Sequence, residues 1–70
     1  MTVQTLELTI NGEQRMVKAG TLDAALAELG FGTAKVATAL NGNFVPAKKR
    51  EGVELRTGDR IEIVTARQGG

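Results

Sequence analysis

The first part of the chain alternates apolar and polar residues in the pattern of a β-hairpin. Over Leu6–Ile10 every second residue is apolar, which is the period of a strand with one buried face. Asn11-Gly12 follows directly, and this dipeptide favours the positive φ angles of a tight turn. Residues 13–18 are therefore predicted to return as an antiparallel second strand, with Val17 facing inward and Met16 on the opposite face.

The period then changes, and residues 22–29 are predicted to form one short helix. Thr21 is suited to cap its first turn, and Asp23 places a negative charge where the helix dipole favours one. Gly30 can adopt the left-handed conformation that ends a helix, and Phe31 is expected to plug its exit. An apolar stripe along one side is formed by Leu22, Ala25, Leu26 and Leu29. That stripe can be buried only against the sheet.

The second half of the chain repeats the combination of strand and turn. Val36–Leu40 is predicted to be the third strand, and it ends at a second turn signal, Asn41-Gly42. Residues 43–46 are predicted to form a short strand at the sheet edge, because Pro46 cannot donate to a strand ladder. Residues 47–57 are polar and are predicted to be irregular.

A final strand is expected over Arg60–Thr65, which alternates like the first strand. The element order is thus strand, strand, helix, strand, strand, strand. This order indicates an α+β roll in which a mixed sheet of four to five strands packs on one short helix. By analogy with the β-grasp (ubiquitin-like) fold, the first and last strands would lie parallel at its centre. Residues 1–65 are predicted to form this domain, and residues 66–70 a flexible C-terminal tail.

Composition excludes several kinds of chemistry. The chain has 70 residues with no Cys and no His, so it offers neither a thiolate nor an imidazole as a metal ligand or a general base. A core this small leaves little room for a deep catalytic pocket. We therefore expect a protein that is not an enzyme and that binds no metal or cofactor itself.

Charge and aromatic content argue against nucleic-acid and membrane partners. The net charge of +1 is far from the positive field of a nucleic-acid binder. Only Phe31 and Phe44 are aromatic, so no exposed aromatic platform for stacked bases is expected. No apolar run approaches the length that crosses a bilayer. The N-terminus lacks the features of a secretory signal, which makes a cytoplasmic protein the expectation.

The C-terminal pair Gly69-Gly70 is the feature that points to a function. A carboxylate is a poor electrophile, but ATP can convert it to an acyl-adenylate that a sulfur nucleophile attacks. Residues 66–70 extend to about 17 Å, which is enough to thread a channel in a partner enzyme. Glycine at both positions removes every Cβ, so a slot that admits only bare backbone would select this end. A frayed terminus is the ordinary alternative, and the β-grasp element order favours the functional interpretation.

Several stretches resemble the thiamine-biosynthesis sulfur-carrier family across nearly the whole chain. They are Ile10-Asn-Gly-Glu13, Thr21-Leu22, Val36-Ala-Thr-Ala-Leu-Asn-Gly42, Val45-Pro46, Gly58-Asp59-Arg-Ile-Glu-Ile-Val64 and Gly69-Gly70. One departure is Ala47, which follows the proline where a basic residue is common and precedes Lys48-Lys49-Arg50.

The resemblance implies a ubiquitin-like sulfur carrier. A ubiquitin-activating-enzyme-like adenylyltransferase would use ATP to adenylate the Gly70 carboxylate, and a sulfur donor such as a cysteine desulfurase would supply the sulfur. The product would be 1-thioglycine, a thiocarboxylate at Gly70. Thiazole synthase would then receive the sulfur for the thiazole ring of thiamine. Gly69 and Gly70 would both be required for activation.

Three residues are candidates for partner docking. Met16 and Val64 are predicted to form an apolar patch on the helix-free face of the sheet, although scattered surface apolar residues are equally ordinary. Arg67 is either a guide that pairs with a partner carboxylate or an exposed tail charge. The basic run at residues 48–50 is expected to be a solvated loop rather than a docking site for an acidic partner.

The sequence leaves other functions open. The same fold and tail would serve a carrier for molybdopterin, cysteine or tRNA thiolation. A ubiquitin-like protein modifier would join the activated Gly70 to a lysine amine instead. A plain β-grasp interaction module, for example one that contacts RNA, is disfavoured by the near-neutral charge and by the expected absence of exposed aromatics.

Overall fold

Strand alternation, turn chemistry and one amphipathic stripe produce a sheet with a helix across one face. The computed structural model describes residues 5–32 and 34–65. These residues form β1 (Leu6–Ile10), β2 (Glu13–Val17), α1 (Leu22–Glu28), β3 (Val36–Leu40), β4 (Asn43–Val45), a 3₁₀ helix (Ala47–Gly52) and β5 (Arg60–Thr65).

The strands lie in the order β2-β1-β5-β3-β4. β1 and β5 are parallel neighbours, with Ile10 opposite Ile61, and the other neighbouring pairs are antiparallel. The predicted mixed sheet with its first and last strands side by side is therefore confirmed. β5 is the central strand, and at Ile61 it pairs with both β1 and β3, whereas residues 62–65 pair with β3.

The two Asn-Gly pairs form the predicted tight turns. Asn11 and Asn41 each have a φ of 51°, and the glycines that follow have φ values of 86° and 87°. Positive φ at both central residues is the geometry of the hairpin turn that matches the twist of the strands. Each turn joins two antiparallel strands, β1 to β2 and β3 to β4.

The helix begins at Leu22 as predicted and ends at Glu28, one residue earlier than predicted, with Leu29 as its C-cap. The Thr21 hydroxyl oxygen accepts a hydrogen bond from the Ala24 N–H at 3.2 Å. At the other end, Gly30 has a φ of 96°, and the Phe31 N–H donates to the Leu26 carbonyl at 2.7 Å. This arrangement is a glycine-terminated helix end. Phe31 is half-buried and packs against the core, as expected of a residue that closes the helix exit.

Replacing the helix cap tests this local structure. Thr21→Ala should lower the free energy of unfolding by about 1 kcal/mol, because an amide of the first turn loses its partner. Thr21→Ser keeps the hydroxyl and should unfold close to the natural protein. Urea denaturation of both variants measures the difference, and equal midpoints for Ala and Ser would contradict the capping role.

The core lies between the helix and the covered face of the sheet. Its buried apolar residues are Leu8, Ile10, Val17, Leu22, Ala25, Leu26, Val45, Leu55, Ile61 and Ile63. Thr38 is also buried, and its hydroxyl donates to the Val45 carbonyl at 2.9 Å. The predicted helix stripe is confirmed at its first three positions, and Leu29 is half-buried at the helix end.

The structure corrects the prediction that residues 47–57 are irregular throughout. Ala47–Gly52 is a 3₁₀ helix. Pro46 has a φ of −64°, which suits the start of a helix, and its carbonyl accepts from the Lys49 N–H at 2.9 Å. Pro46 therefore ends β4 at Val45, one residue earlier than predicted.

The second strand is also shorter than predicted. β2 ends at Val17, because the Lys18 N–H donates to the Glu28 carboxylate at 3.0 Å instead of continuing the ladder. The Ala19 N–H donates to the same carboxylate at 3.0 Å. Glu28 thus fixes the connection between the hairpin and the helix, a role that no sequence pattern indicates.

Candidate functional site

The central strand β5 carries the chain toward its C-terminus. Thr65, the last residue of β5, pairs with Val36 at the start of β3. The predicted sulfur-carrying residue, Gly70, lies outside the described residues. The same holds for Gly69, which is predicted to be required for activation, and for Arg67, the predicted guide. The folded body therefore positions the root of the predicted tail at one end of a five-stranded sheet.

Apolar side chains lie on the helix-free face beside this point. Val64 is opposite Ala37, and Ala39 is opposite both Phe44 and Glu62. Residues that are directly opposite each other in a ladder share a face, and the alternate residues of these strands are the ones that enter the core. We call Ala37, Ala39, Phe44 and Val64 the Phe44 patch. Phe44 is 69% exposed and Val64 is 63% exposed, so the patch faces solvent.

The family of the chain follows from its match to known proteins. The sequence profile of the ThiS family matches residues 8–70, a range that includes all of the sheet except the first two residues of β1, together with the Phe44 patch and the terminal glycines. The chain belongs to the ThiS family. It is therefore a sulfur carrier of thiamine biosynthesis and is not itself an enzyme.

Two relatives agree with this assignment. The crystal structure of a thiamine biosynthesis protein (ThiS) from Geobacter metallireducens is similar, with a TM-score of 0.75 and 28% sequence identity. The similarity covers 93% of this chain and 100% of that one, and it confirms the β-grasp fold. A thiazole synthase from Paramagnetospirillum magneticum (strain ATCC 700264 / AMB-1) is 41% identical over 66 residues. The match covers 93% of this chain but only 20% of that relative's length.

In this ThiS family protein, the two predicted docking residues on the sheet lie far apart. Met16 is on the edge strand β2 and is opposite Glu7, whose carbonyl accepts from the Gly58 N–H. Val64 lies six residues beyond Gly58 along the chain, a separation of about 20 Å in an extended strand. Both side chains are exposed on the helix-free face, but they do not form one patch. Docking at either residue stays a prediction.

Phe44 is the exposed residue that the sequence analysis missed. The expectation of no exposed aromatic is wrong, because Phe44 faces away from the core on β4. A strand of three residues is too short for its alternation to predict which side is buried. The inward position opposite Val45 is occupied by Thr38, a polar residue, which hides the alternation further.

The basic run divides into two parts with different environments. Lys48 and Lys49 are exposed, as expected of a solvated loop. Arg50 is half-buried: its Nε donates to the Thr38 hydroxyl at 3.0 Å and its Nη2 donates to the Val36 carbonyl at 2.7 Å. Arg50 is therefore part of the folded body, and the prediction of a solvated loop does not hold for it.

Within residues 5–32 and 34–65, no group of three or more acidic side chains is placed to hold a metal ion. Among the helices of that part of the chain, none has the length and apolar character to cross a membrane.

Proposed function

We propose that this protein carries sulfur as a thiocarboxylate on Gly70 and donates it to the thiazole ring of thiamine. The observation that supports the proposal is the family match through Gly69-Gly70, on a fold whose central strand β5 leads into those residues. The body then serves as a handle, and the chemistry takes place in partner enzymes.

The proposed chemistry proceeds in two displacements, the first at the α-phosphorus of ATP and the second at the Gly70 carbonyl carbon. In the first, a carboxylate oxygen attacks the α-phosphorus of ATP, which gives the acyl-adenylate and releases pyrophosphate. In the second, a sulfur nucleophile attacks the carbonyl carbon and AMP leaves with its bonding electrons. If a persulfide delivers the sulfur, a thiol must reduce the resulting acyl disulfide to free the thiocarboxylate.

The proposed partners follow from these steps. An adenylyltransferase related to the ubiquitin-activating enzymes would form the adenylate, and a cysteine desulfurase is a suitable source of persulfide sulfur. Thiazole synthase would accept the sulfur. The Paramagnetospirillum relative supports this last partner, because a protein named thiazole synthase contains a segment that resembles nearly all of this chain.

The Phe44 patch is the surface we propose for docking these enzymes. It lies on the same end of β3 and β5 as the root of the tail, so an enzyme bound there has residues 66–70 within reach of its active site. Those five residues span about 17 Å when extended. The patch offers an exposed aromatic side chain, Phe44, of a type that is enriched in protein–protein interfaces.

Substitution of Phe44 tests the docking surface. Phe44→Ala should weaken binding of the adenylyltransferase about tenfold, which corresponds to about 1.4 kcal/mol. Met16→Ala is the matched comparison, because Met16 is similarly exposed on the same face but lies far from the patch, so the two variants separate docking at the Phe44 patch from docking at Met16. Isothermal titration calorimetry measures both. Equal losses for the two variants, or a loss only for Met16→Ala, would contradict docking at the Phe44 patch.

A growth experiment tests the pathway. A strain that lacks this protein should need thiazole or thiamine, and a plasmid copy should restore growth, whereas a copy without Gly70 should not. A requirement for cysteine, or a loss of molybdoenzymes or of thiolated tRNA, would assign the carrier to another pathway. A ladder of covalent conjugates that depends on Gly70, in a strain with normal thiamine synthesis, would favour a protein modifier.

A further inference from the structure

The two strands at the root of the tail extend beyond their neighbours. β1 is last paired at Ile10, opposite Ile61, and β4 is last paired at Val45, opposite Thr38. Beyond those positions β5 and β3 continue together as far as the pair Thr65 and Val36. We call residues 62–65 and 36–37 the exit ribbon. Among the described residues no strand lies beside its outer backbone groups, and a two-stranded ribbon by itself is marginally stable in water.

The side chain of Asn11 bonds the backbone of the exit ribbon on the side of β5 where pairing with β1 has ended. Its Nδ2 donates to the Ile63 carbonyl at 3.0 Å, and its Oδ1 accepts from the Ile63 N–H at 2.8 Å. A carboxamide carries the same donor and acceptor as a peptide group. The side chain therefore continues the ladder between β1 and β5 after the backbone has turned away toward β2.

The side chain of Arg50 bonds the other edge of the exit ribbon, on the side of β3 where pairing with β4 has ended. Its Nη2 donates to the carbonyl of Val36, the residue that pairs with Thr65. Its Nε donates to the hydroxyl of Thr38, which is 1% exposed. The guanidinium thus holds β3 at the point where β4 has ended and the chain has entered the 3₁₀ helix.

We infer that Asn11 and Arg50 are positioning residues that hold the exit ribbon, and with it the root of the tail, for presentation of Gly70 to the activating enzyme. The inference rests on the proposed function. Each ribbon residue that loses its pairing lengthens the unpaired segment before Gly70 by about 3.3 Å, so the position of Gly70 becomes less defined. Fraying also displaces Val64, which belongs to both the ribbon and the Phe44 patch. Loss of either side chain should therefore weaken productive binding rather than the chemical step.

Asn41 offers a matched control for Asn11. It occupies the same turn position with the same φ of 51°, and its carboxamide also makes two hydrogen bonds. Its Oδ1 accepts from the Arg60 N–H at 2.9 Å, and its Nδ2 donates to the Asp59 carboxylate at 3.1 Å. These bonds hold the start of β5, at the end away from the tail. Glycine at either position keeps the turn, because it tolerates positive φ.

The experiment compares Asn11→Gly with Asn41→Gly in thiocarboxylate formation with the adenylyltransferase, ATP and sulfide. Asn11→Gly should raise the KM for the carrier about fivefold, since each of its two hydrogen bonds to Ile63 contributes a net factor of about two or more, with kcat changed by less than about twofold. Amide exchange should accelerate at Ile63, whose N–H loses its acceptor. Asn41→Gly should leave KM within about twofold, since its effect is confined to the start of β5.

A second pair of variants tests the other side of the ribbon. Arg50→Lys keeps the charge but cannot make both bonds from one planar fork, so it should raise KM as Asn11→Gly does. Lys49→Ala, a change at an exposed neighbouring residue, should not raise KM.

Equal KM values for Asn11→Gly and Asn41→Gly, or faster exchange at Ile63 with no change in KM, would overturn the inference. Failure of the natural protein to form any thiocarboxylate would overturn the proposed function itself.

Discussion

A protein that ends at Gln68 should accept no sulfur. Removal of Gly69-Gly70 takes away both the reacting carboxylate and the bare backbone that a narrow enzyme channel requires. Gly70→Ala keeps a carboxylate but adds a Cβ beside it, and thiocarboxylate formation should fall about 100-fold, the loss typical of a reacting group displaced by about 1 Å. Single-turnover assays with the adenylyltransferase measure both effects.

The control for these variants is Gln68→Ala, which changes the tail but leaves both glycines in place. All three proteins should unfold within about 0.5 kcal/mol of the natural one, because the described core ends at Thr65. If the truncated protein or Gly70→Ala accepted sulfur at the natural rate, the tail would have no part in the chemistry.

Shortening a side chain at the centre of the core should lower the free energy of unfolding more than any other substitution considered. Ile61 is 1% exposed on β5 and lies opposite Ile10. Ile61→Ala should cost about 2–5 kcal/mol through lost burial and the cavity that remains. A chain of this size has roughly 4–10 kcal/mol in total, so much of the protein could unfold at 37 °C.

Val64→Ala is the matched control on the same strand. Val64 faces solvent, so its truncation should cost less than about 0.5 kcal/mol. Urea denaturation followed by circular dichroism measures both variants. If Ile61→Ala unfolded at the same urea concentration as Val64→Ala, the assignment of the two faces of β5 would be wrong.

Much of the fold could be predicted because its local signals agree with one another. The Asn-Gly turns, the cap at Thr21 and the glycine at position 30 each mark a boundary that the structure confirms. The parallel pairing of β1 and β5 could come only from fold analogy, because residues that meet across the sheet are about 50 positions apart in sequence. Alternation specifies which face of a strand is buried, not which strand lies beside it.

The 3₁₀ helix escaped prediction for a related reason. Ala47–Gly52 has no buried residue, so no apolar period marks it. Arg50 stands in a run of charges, and the partners of its guanidinium, Thr38 and Val36, become neighbours only after β3 and β4 have paired. A basic run and a structural arginine cannot be separated on composition alone.

The candidate site likewise contains residues that the sequence alone identifies and residues that only the folded structure identifies. The terminal glycines are a sequence feature and could be singled out without coordinates. Phe44 could be placed on the helix-free face only once the register of β3 and β4 was known. The Asn-Gly pattern predicts the turn at Asn11, but it does not indicate that the Asn11 carboxamide also bonds the backbone of Ile63. One residue can satisfy a local signal and a tertiary contact together.

The central claim is that Gly70 exchanges one carboxylate oxygen for sulfur, and intact mass spectrometry tests it most directly. The purified protein is incubated with ATP, a competent adenylyltransferase and a sulfur donor. The masses of the intact protein and of its C-terminal fragments are then measured. The account predicts one replacement of oxygen by sulfur, confined to the fragment that contains Gly70 and absent without ATP. An unchanged mass, with an enzyme that thiolates another carrier in the same reaction mixture, would contradict it.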